Sequence, residues 1–392
     1  MIKRALASKL KAMAGKFPVV AVTGPRQSGK TTLVKSVFVG YRYVSLENPD
    51  TRAFASSDPR GFLATYPAPV IFDEIQRVPS LLSYIQGIVD STGRNGLYIL
   101  TGSNNLMLLE SVSQTLAGRV ALLTLLPFSS AELAAARRLP TGLDSVLFSG
   151  GYPRLYADKQ SPEDLFSSYV ATYVERDIRS IIQVTDLDRF QLFLKMCAAR
   201  CGQLVNYSGL GNDCGINHGT AKAWLSLLQT CYIAYLVPPY FENLGKRLMK
   251  SPKLYFYDTG LLCYLLGVRK AADLATHPMR GFIFESWMFS ELMKGRFNRG
   301  SQSNLYFWRD HVGNEVDCVI DRGGKKAILE AKSAVTLSSD QFHGLRYFKK
   351  ISGGKDLEPM LVYAGADSQR RTDAEVLGWK DFALRAAGEL TA

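Results

Sequence analysis

The stretch VVAVTGPRQSGKTTLVKSVF, residues 19–38, joins an apolar run, a glycine-bounded loop and a helix-compatible segment without interruption. Val19 to Val22 suit a strand buried on both faces, and from Lys30 to Phe38 neither proline nor glycine stops a helix. Between them GPRQSGKT fits the spacing G-x-x-x-x-G-K-[ST] at every defined position. In such a loop Gly24 and Gly29 let backbone N–H groups turn inward and approach phosphate oxygens, and the N-terminus of the following helix adds a favourable dipole. Pro25, Arg26, Gln27, Ser28 and Thr32 complete the cradle, Lys30 reaches the β and γ phosphates, and Thr31 ligates Mg²⁺. The ligands expected here are ATP and Mg²⁺.

Downstream, APVIFDEIQRVP (68–79) carries a second apolar strand that ends in Asp73 and Glu74, at the strand end where ligands gather in open α/β sheets. Asp73 can hold magnesium through its water shell, while Glu74 can orient and deprotonate an attacking water. A third strand, LYILTGSN (97–104), ends in Ser103 and Asn104, groups suited to sensing a γ-phosphate or holding the lytic water, although such residues also end strands for turn chemistry alone. RYVSLE (42–47) and VALLTLLPF (120–128) add two more apolar strands, so at least five strands alternate with helices. Arg119, just before the last of them, is a candidate to deliver a guanidinium to a γ-phosphate, commonly a neighbouring subunit's. Arg26 and Arg154 compete for that role.

The 392 residues exceed one ordinary core and predict two or three domains. No apolar run reaches the roughly 18 residues of a membrane span. The N-terminal MIKRALASKLKAMAGKF reads as a short basic helix rather than a secretory signal, so a cytoplasmic location is expected, without a membrane partner. Six cysteines at scattered positions show no paired spacing and read as buried thiols. The formal net charge of +12 favours a polyanionic partner such as nucleic acid.

GPRQSGKTTL, IFDEIQRVP, YILTGS, LAGR, GGYP, YVERDI and KSPKLYFYDTGL, in this order, resemble the prokaryotic AAA-superfamily P-loop ATPases whose C-terminal half is a domain of formerly unknown function. The resemblance spans about residue 3 to about residue 365. It implies an α/β P-loop ATPase domain with a parallel sheet (residues 1–155) and a helical, winged-helix-like middle (156–265). It further implies a C-terminal α/β domain (266–392) similar to the PD-(D/E)XK, restriction-endonuclease-like fold.

In the middle, YVERDIRSI alternates acids and bases as a solvated or intersubunit face would. SGLGNDCGINHGTAKAWLSLLQTCYIAYLV (208–237) then reads as helix, glycine turn and a second helix beginning near Asn217 or His218 and carrying Lys222. In ENLGKRLMKSPKLYFYD (242–258), Lys246, Arg247, Lys250 and Lys253 cluster beside aromatic residues, as in a wing that contacts phosphates.

NEVDCVIDRGGKKAILEAKSA (314–334) permits a register prediction. A two-residue turn at Gly323 and Gly324 places Asp317 opposite Glu330 and Glu315 opposite Lys332, all four on one face. Paired carboxylates can hold Mg²⁺, and a lysine beside them can stabilise charge on a phosphodiester; polar hairpin faces are also common without any site. By resemblance, Asp317, Glu330 and Lys332 match the D…E-x-K element, Glu285 in FIFESWMFSEL is a further metal carboxylate, and Gln341 steadies the site. The expectation is a Mg²⁺-dependent ATPase acting on DNA as a homo-oligomer, with a hexameric ring as one form. The alternatives are an ATP-regulated DNA nuclease and a nucleotide-dependent switch or scaffold that binds a protein partner.

Overall fold

The computed structural model describes residues 2–102, 114–158, 160–174, 187–240, 251–354 and 356–390. Two compact units divide the chain: Met1–Phe128 with Phe297–Ser301, and Ser129–Arg296 with Gln302–Ala392.

In the first unit β1 (Val19–Thr23), β2 (Arg42–Ser45), β3 (Val70–Asp73), β4 (Tyr98–Thr101) and β5 (Val120–Thr124) form a five-stranded sheet ordered β2-β3-β4-β1-β5. Every neighbouring pair is parallel, with Val19 level with both Tyr98 and Val120. The strand alternation sorts β1 into two cores: Val19 and Ala21 pack with Phe62, Phe72 and Ile85, while Val20 and Val22 pack with Leu6, Leu10 and Val34. The N-terminal basic segment is indeed a helix, Leu6–Ala14, and it turns Leu6, Leu10 and Ala14 inward at helical spacing.

In the second unit the helices Leu187–Ala199, Tyr207–Cys214 and His218–Thr230 precede an antiparallel pair, β6 (Ala234–Val237) and β7 (Lys253–Phe256). The turn between the second and third of these helices is set by Gly215, with φ of 64°, and by Asn217, whose side chain accepts from Thr220 N at 2.8 Å. Next come the helix Arg280–Asn298 and the strands β8 (Leu305–Arg309), β9 (Glu315–Asp321), β10 (Lys326–Lys332), β11 (Leu357–Tyr363), β12 (Gln369–Arg370) and β13 (Glu375–Gly378). They make a six-stranded mixed sheet ordered β12-β13-β11-β10-β9-β8. The helix His343–Ile351 connects β10 to its parallel neighbour β11, and Trp379–Ala387 follows β13. β9 and β10 pair as Asp321↔Lys326 through Cys318↔Leu329, the register that the turn at Gly323 and Gly324 demands.

All six cysteines are free thiols and buried. No described helix is long and apolar enough to cross a membrane.

Candidate nucleotide site and a buried carboxylate-lysine cluster

Because β1 and β3 run parallel, the glycine loop and the Asp73–Glu74 pair emerge at the same end of the sheet. Gly24 has φ of 142°, and a Cβ there would lie 2.1 Å from the Leu125 carbonyl oxygen. Its glycine is therefore demanded by a close approach to the β5 exit as well as by loop geometry. Gly29, at φ 91°, ends the loop and caps the helix Lys30–Val37. The buried Lys30 ammonium donates to Gly24 O at 3.0 Å and Pro25 O at 2.8 Å. Thr31 Oγ1 donates to the Asp73 carboxylate at 3.0 and 3.2 Å, so the two expected magnesium partners already adjoin.

Asp73 is gripped from two further strands: Tyr43 OH donates to it at 2.7 Å, and Thr101 Oγ1 donates to its other oxygen. Burial and then the Asp73 carboxylate push the Tyr43 phenol well up, so it stays a donor. Glu74 adopts a left-handed conformation, φ 58° and ψ 45°, and accepts from the Gln76 side-chain amide. A non-glycine residue in that region is strained, and the strain turns the Glu74 backbone out of the strand direction directly after Asp73.

Sequence reasoning missed the brace behind the loop. Buried Arg4 donates to Ser28 O at 2.7 Å and to Leu126 O at 2.6 Å, and its guanidinium lies 4.6 Å from the Phe128 ring centre. Among the described residues, Ser28 Oγ and Gln27 Oε1 are buried without a hydrogen-bond partner, in the loop expected to meet phosphates. Arg26 and Gln27 are half-buried and Thr32 is exposed.

Arg119 precedes Val120, which pairs with the first residue of β1, so it lies at the sheet end opposite the loop. It holds Asp90 through two contacts, one of 2.9 Å between Nη2 and Oδ2. Arg154 is exposed and pairs with Asp158 at 3.4 Å. GGYP and YDTGL meet structurally instead: the buried Asp258 carboxylate accepts from Gly151 N at 2.7 Å and from Leu261 N at 3.1 Å. Ser103 and Asn104, most of YVERDI, and Lys246, Arg247 and Lys250 lie outside the described residues.

In the second unit Glu285, Asp317, Lys332 and Gln341 line one cleft of about 350 Å³. Glu330 and Lys332 pair with each other at 2.8 Å, and Asp317 Oδ2 accepts from Ala331 N at 2.8 Å. The expected facing of Glu315 and Lys332 gives way to a different partner. Glu315 contacts Lys253 and reaches Arg309 at 3.5 Å. Lys253 corrects a second expectation: it is 2% exposed and ion-paired to Glu285 at 3.1 Å, and so is not a surface contact for phosphates. Tyr255 OH also donates to Glu285. Burial, then Asp317, pushes the Glu285 carboxyl up to about 7, and the same two causes drive Glu330 well above the carboxylate range. For Lys253 the lowering by burial is outweighed by Glu285, Asp317 and Glu315, so it stays charged. Lys222 stands exposed on the helix His218–Thr230.

Residues 16–134 match the family described as AAA domain. The part of the chain that carries the parallel sheet is therefore similar to an AAA domain. Residues 141–272 match a domain of unknown function, DUF8612, and residues 280–382 another, DUF4143. An uncharacterized protein of Mycobacterium tuberculosis, Rv2008c, is 28% identical over 340 residues, covering 86% of this chain and 75% of its own. An uncharacterized Haemophilus influenzae protein is 27% identical over 239 residues, 57% of each chain. Among solved structures, the Walker-type ATPase PABY2304 of Pyrococcus abyssi superposes with a TM-score of 0.46 at 16% identity, over 68% of this chain and 96% of that one. AMPPCP-bound DnaA from Aquifex aeolicus gives 0.29 at 12% identity, over 57% and 85%.

Proposed function

We propose that the chain hydrolyses ATP in a Mg²⁺-dependent reaction and couples the cycle to binding or remodelling DNA. The observation that carries the hydrolytic half is the convergence of Lys30, Thr31, Asp73 and Glu74 at one end of a parallel sheet. A hydroxyl and a carboxylate in contact are hard oxygen donors of the kind magnesium takes, so Thr31 and Asp73 would hold it. Bound there, the ion would neutralise charge on the β and γ phosphate oxygens. Lys30 would exchange the Gly24 and Pro25 carbonyls for phosphate oxygens. Glu74 would orient the attacking water and take its proton; Tyr43 and Thr101 keep Asp73 in place while it does so.

The DNA half is supported by the net charge and by a helix, glycine turn and second helix followed by a strand pair, a pattern shared with winged-helix modules. The order of helix, three antiparallel strands, helix and parallel strand in the C-terminal sheet supports the nuclease-like fold for that part. We also propose a homo-oligomer in which Arg119 serves a neighbouring subunit's γ-phosphate, because its end of the sheet faces away from its own loop. ATP turnover measured with and without single-stranded, double-stranded and branched DNA tests the whole. Lys30→Ala should lose nucleotide binding, and Glu74→Gln should keep ATP but stall; normal turnover in both rejects the hydrolytic assignment. DNA that neither binds at low salt nor alters turnover rejects the coupling.

A further inference from the structure

The nuclease resemblance calls for Mg²⁺ on Glu285, Asp317 and Glu330, and the side chains present do not fit it. Among the described residues, the acids whose oxygens lie close enough to share an ion, within 4.8 Å of one another, are Glu285, Glu315 and Asp317. Two of these three already contact one cation: Lys253 Nζ lies 3.1 Å from Glu285 Oε1 and also touches Glu315 Oε1. The third, Asp317, accepts from a backbone N–H, and Glu330 is paired with Lys332.

Lys253 has no easy route out. Its backbone is held in β7, level with Val237 and bridged to Leu204 on the other side, and its ammonium sits 5.5 Å from the Phe307 ring centre. The residue is 2% exposed. A divalent ion sharing these oxygens at its usual distance of about 2.0–2.1 Å would stand next to the Lys253 ammonium and compete with it for Glu285 Oε1 and Glu315 Oε1.

We propose that the Lys253 ammonium is the resident cation of this cluster, standing in for the divalent metal of a nuclease-like site, so that the C-terminal part of the chain engages DNA without cutting it. Only the last clause rests on the DNA-binding function proposed above. The metal clause stands or falls separately, because it is read on nucleotide-free protein.

The test is Mn²⁺ titration of the nucleotide-free full-length protein, followed by electron paramagnetic resonance, for wild type, Asp317→Asn, Lys253→Met and the Lys253→Met/Asp317→Asn double variant. Wild type and Asp317→Asn should bind equal amounts of Mn²⁺. Lys253→Met should gain about one equivalent, at least about tenfold tighter than any wild-type binding at these residues, and the double variant should lose it. Lys253→Met should also melt lower in chelator and recover with Mn²⁺, as ligand linkage requires. Wild-type Mn²⁺ binding that Asp317→Asn removes would overturn the proposal. So would a folded Lys253→Met protein that gains no ion, or Mn²⁺-dependent DNA cutting by wild type that Asp317→Asn abolishes. If Lys253→Met does not fold, the wild-type and Asp317→Asn pair alone decides.

Discussion

Replacing Arg4 with methionine removes a guanidinium that joins the phosphate loop to the segment leaving β5. Methionine keeps the apolar stem but neither the 2.7 Å bond to Ser28 O nor the 2.6 Å bond to Leu126 O, and it loses the contact over Phe128. Hydrogen bonds to a charged group contribute about 1.5–3 kcal/mol each, and the two carbonyls would be left without these donors. A desolvated cation over a ring adds about 1–2 kcal/mol. Part of the sum is offset because the charge itself no longer has to be buried, which leaves a net loss of about 3 kcal/mol in the first unit. That corresponds to a melting temperature lower by about 10 °C for a unit of this size. Because Ser28 belongs to the loop, nucleotide affinity should also fall about tenfold, equivalent to about 1.4 kcal/mol. Calorimetry and titration with a fluorescent ATP analogue, well below the melting temperature, measure both. Arg4→Lys, with one compact donor group in place of a fork, should recover only part of each loss. A melting temperature within about 2 °C of wild type together with unchanged affinity would refute the brace.

Three further outcomes are expected. Gly24→Ala places a methyl 2.1 Å from Leu125 O at φ 142°; it should cost more than about 3 kcal/mol in urea unfolding and abolish nucleotide binding, and a soluble variant of normal affinity counts against the loop geometry. Asp258→Ala leaves Gly151 N and Leu261 N without their buried acceptor, so the second unit should lose about 3 kcal/mol, while Asp258→Asn, which retains an acceptor oxygen, should lose less; equal losses would contradict capping as the cause. Glu285 faces Asp317 from β9 and Lys253 and Tyr255 from β7, and its carboxyl holds a proton up to about 7 instead of the ordinary 4.5. The fold therefore binds a proton that the unfolded chain has already released. Stability from this group is full below about pH 4.5 and declines as pH rises toward about 7; Glu285→Gln should flatten that decline, and urea midpoints falling equally in both proteins would exclude it.

Much of the first unit was legible because its signals are local. A loop needing two glycines, a lysine and a threonine at fixed spacing writes itself into eight consecutive residues, and a strand buried on both faces writes itself as Val19 to Val22. The β9–β10 register was equally accessible, since a tight turn at Gly323 and Gly324 fixes which residues pair. The helix expected to begin near Asn217 or His218 begins at His218, where the Asn217 side chain caps it. Arg4 was illegible because its partners lie 24 and 122 residues away and are backbone carbonyls, which carry no side-chain signature.

Lys253 shows the same division most sharply. In sequence it belongs to a run of basic and aromatic residues, and its neighbours along the chain suggest a surface that meets phosphates. In the fold its neighbours are Glu285 and Glu315, from a helix and a strand 32 and 62 residues further on. The sequence by itself determined the phosphate loop, the buried strand that leads into it and the hairpin with its acids, because each depends on residues within a few positions of one another. Only the tertiary structure decided which cation those acids hold, because a buried charge takes its meaning from whatever else is buried beside it, and that is set by long-range packing.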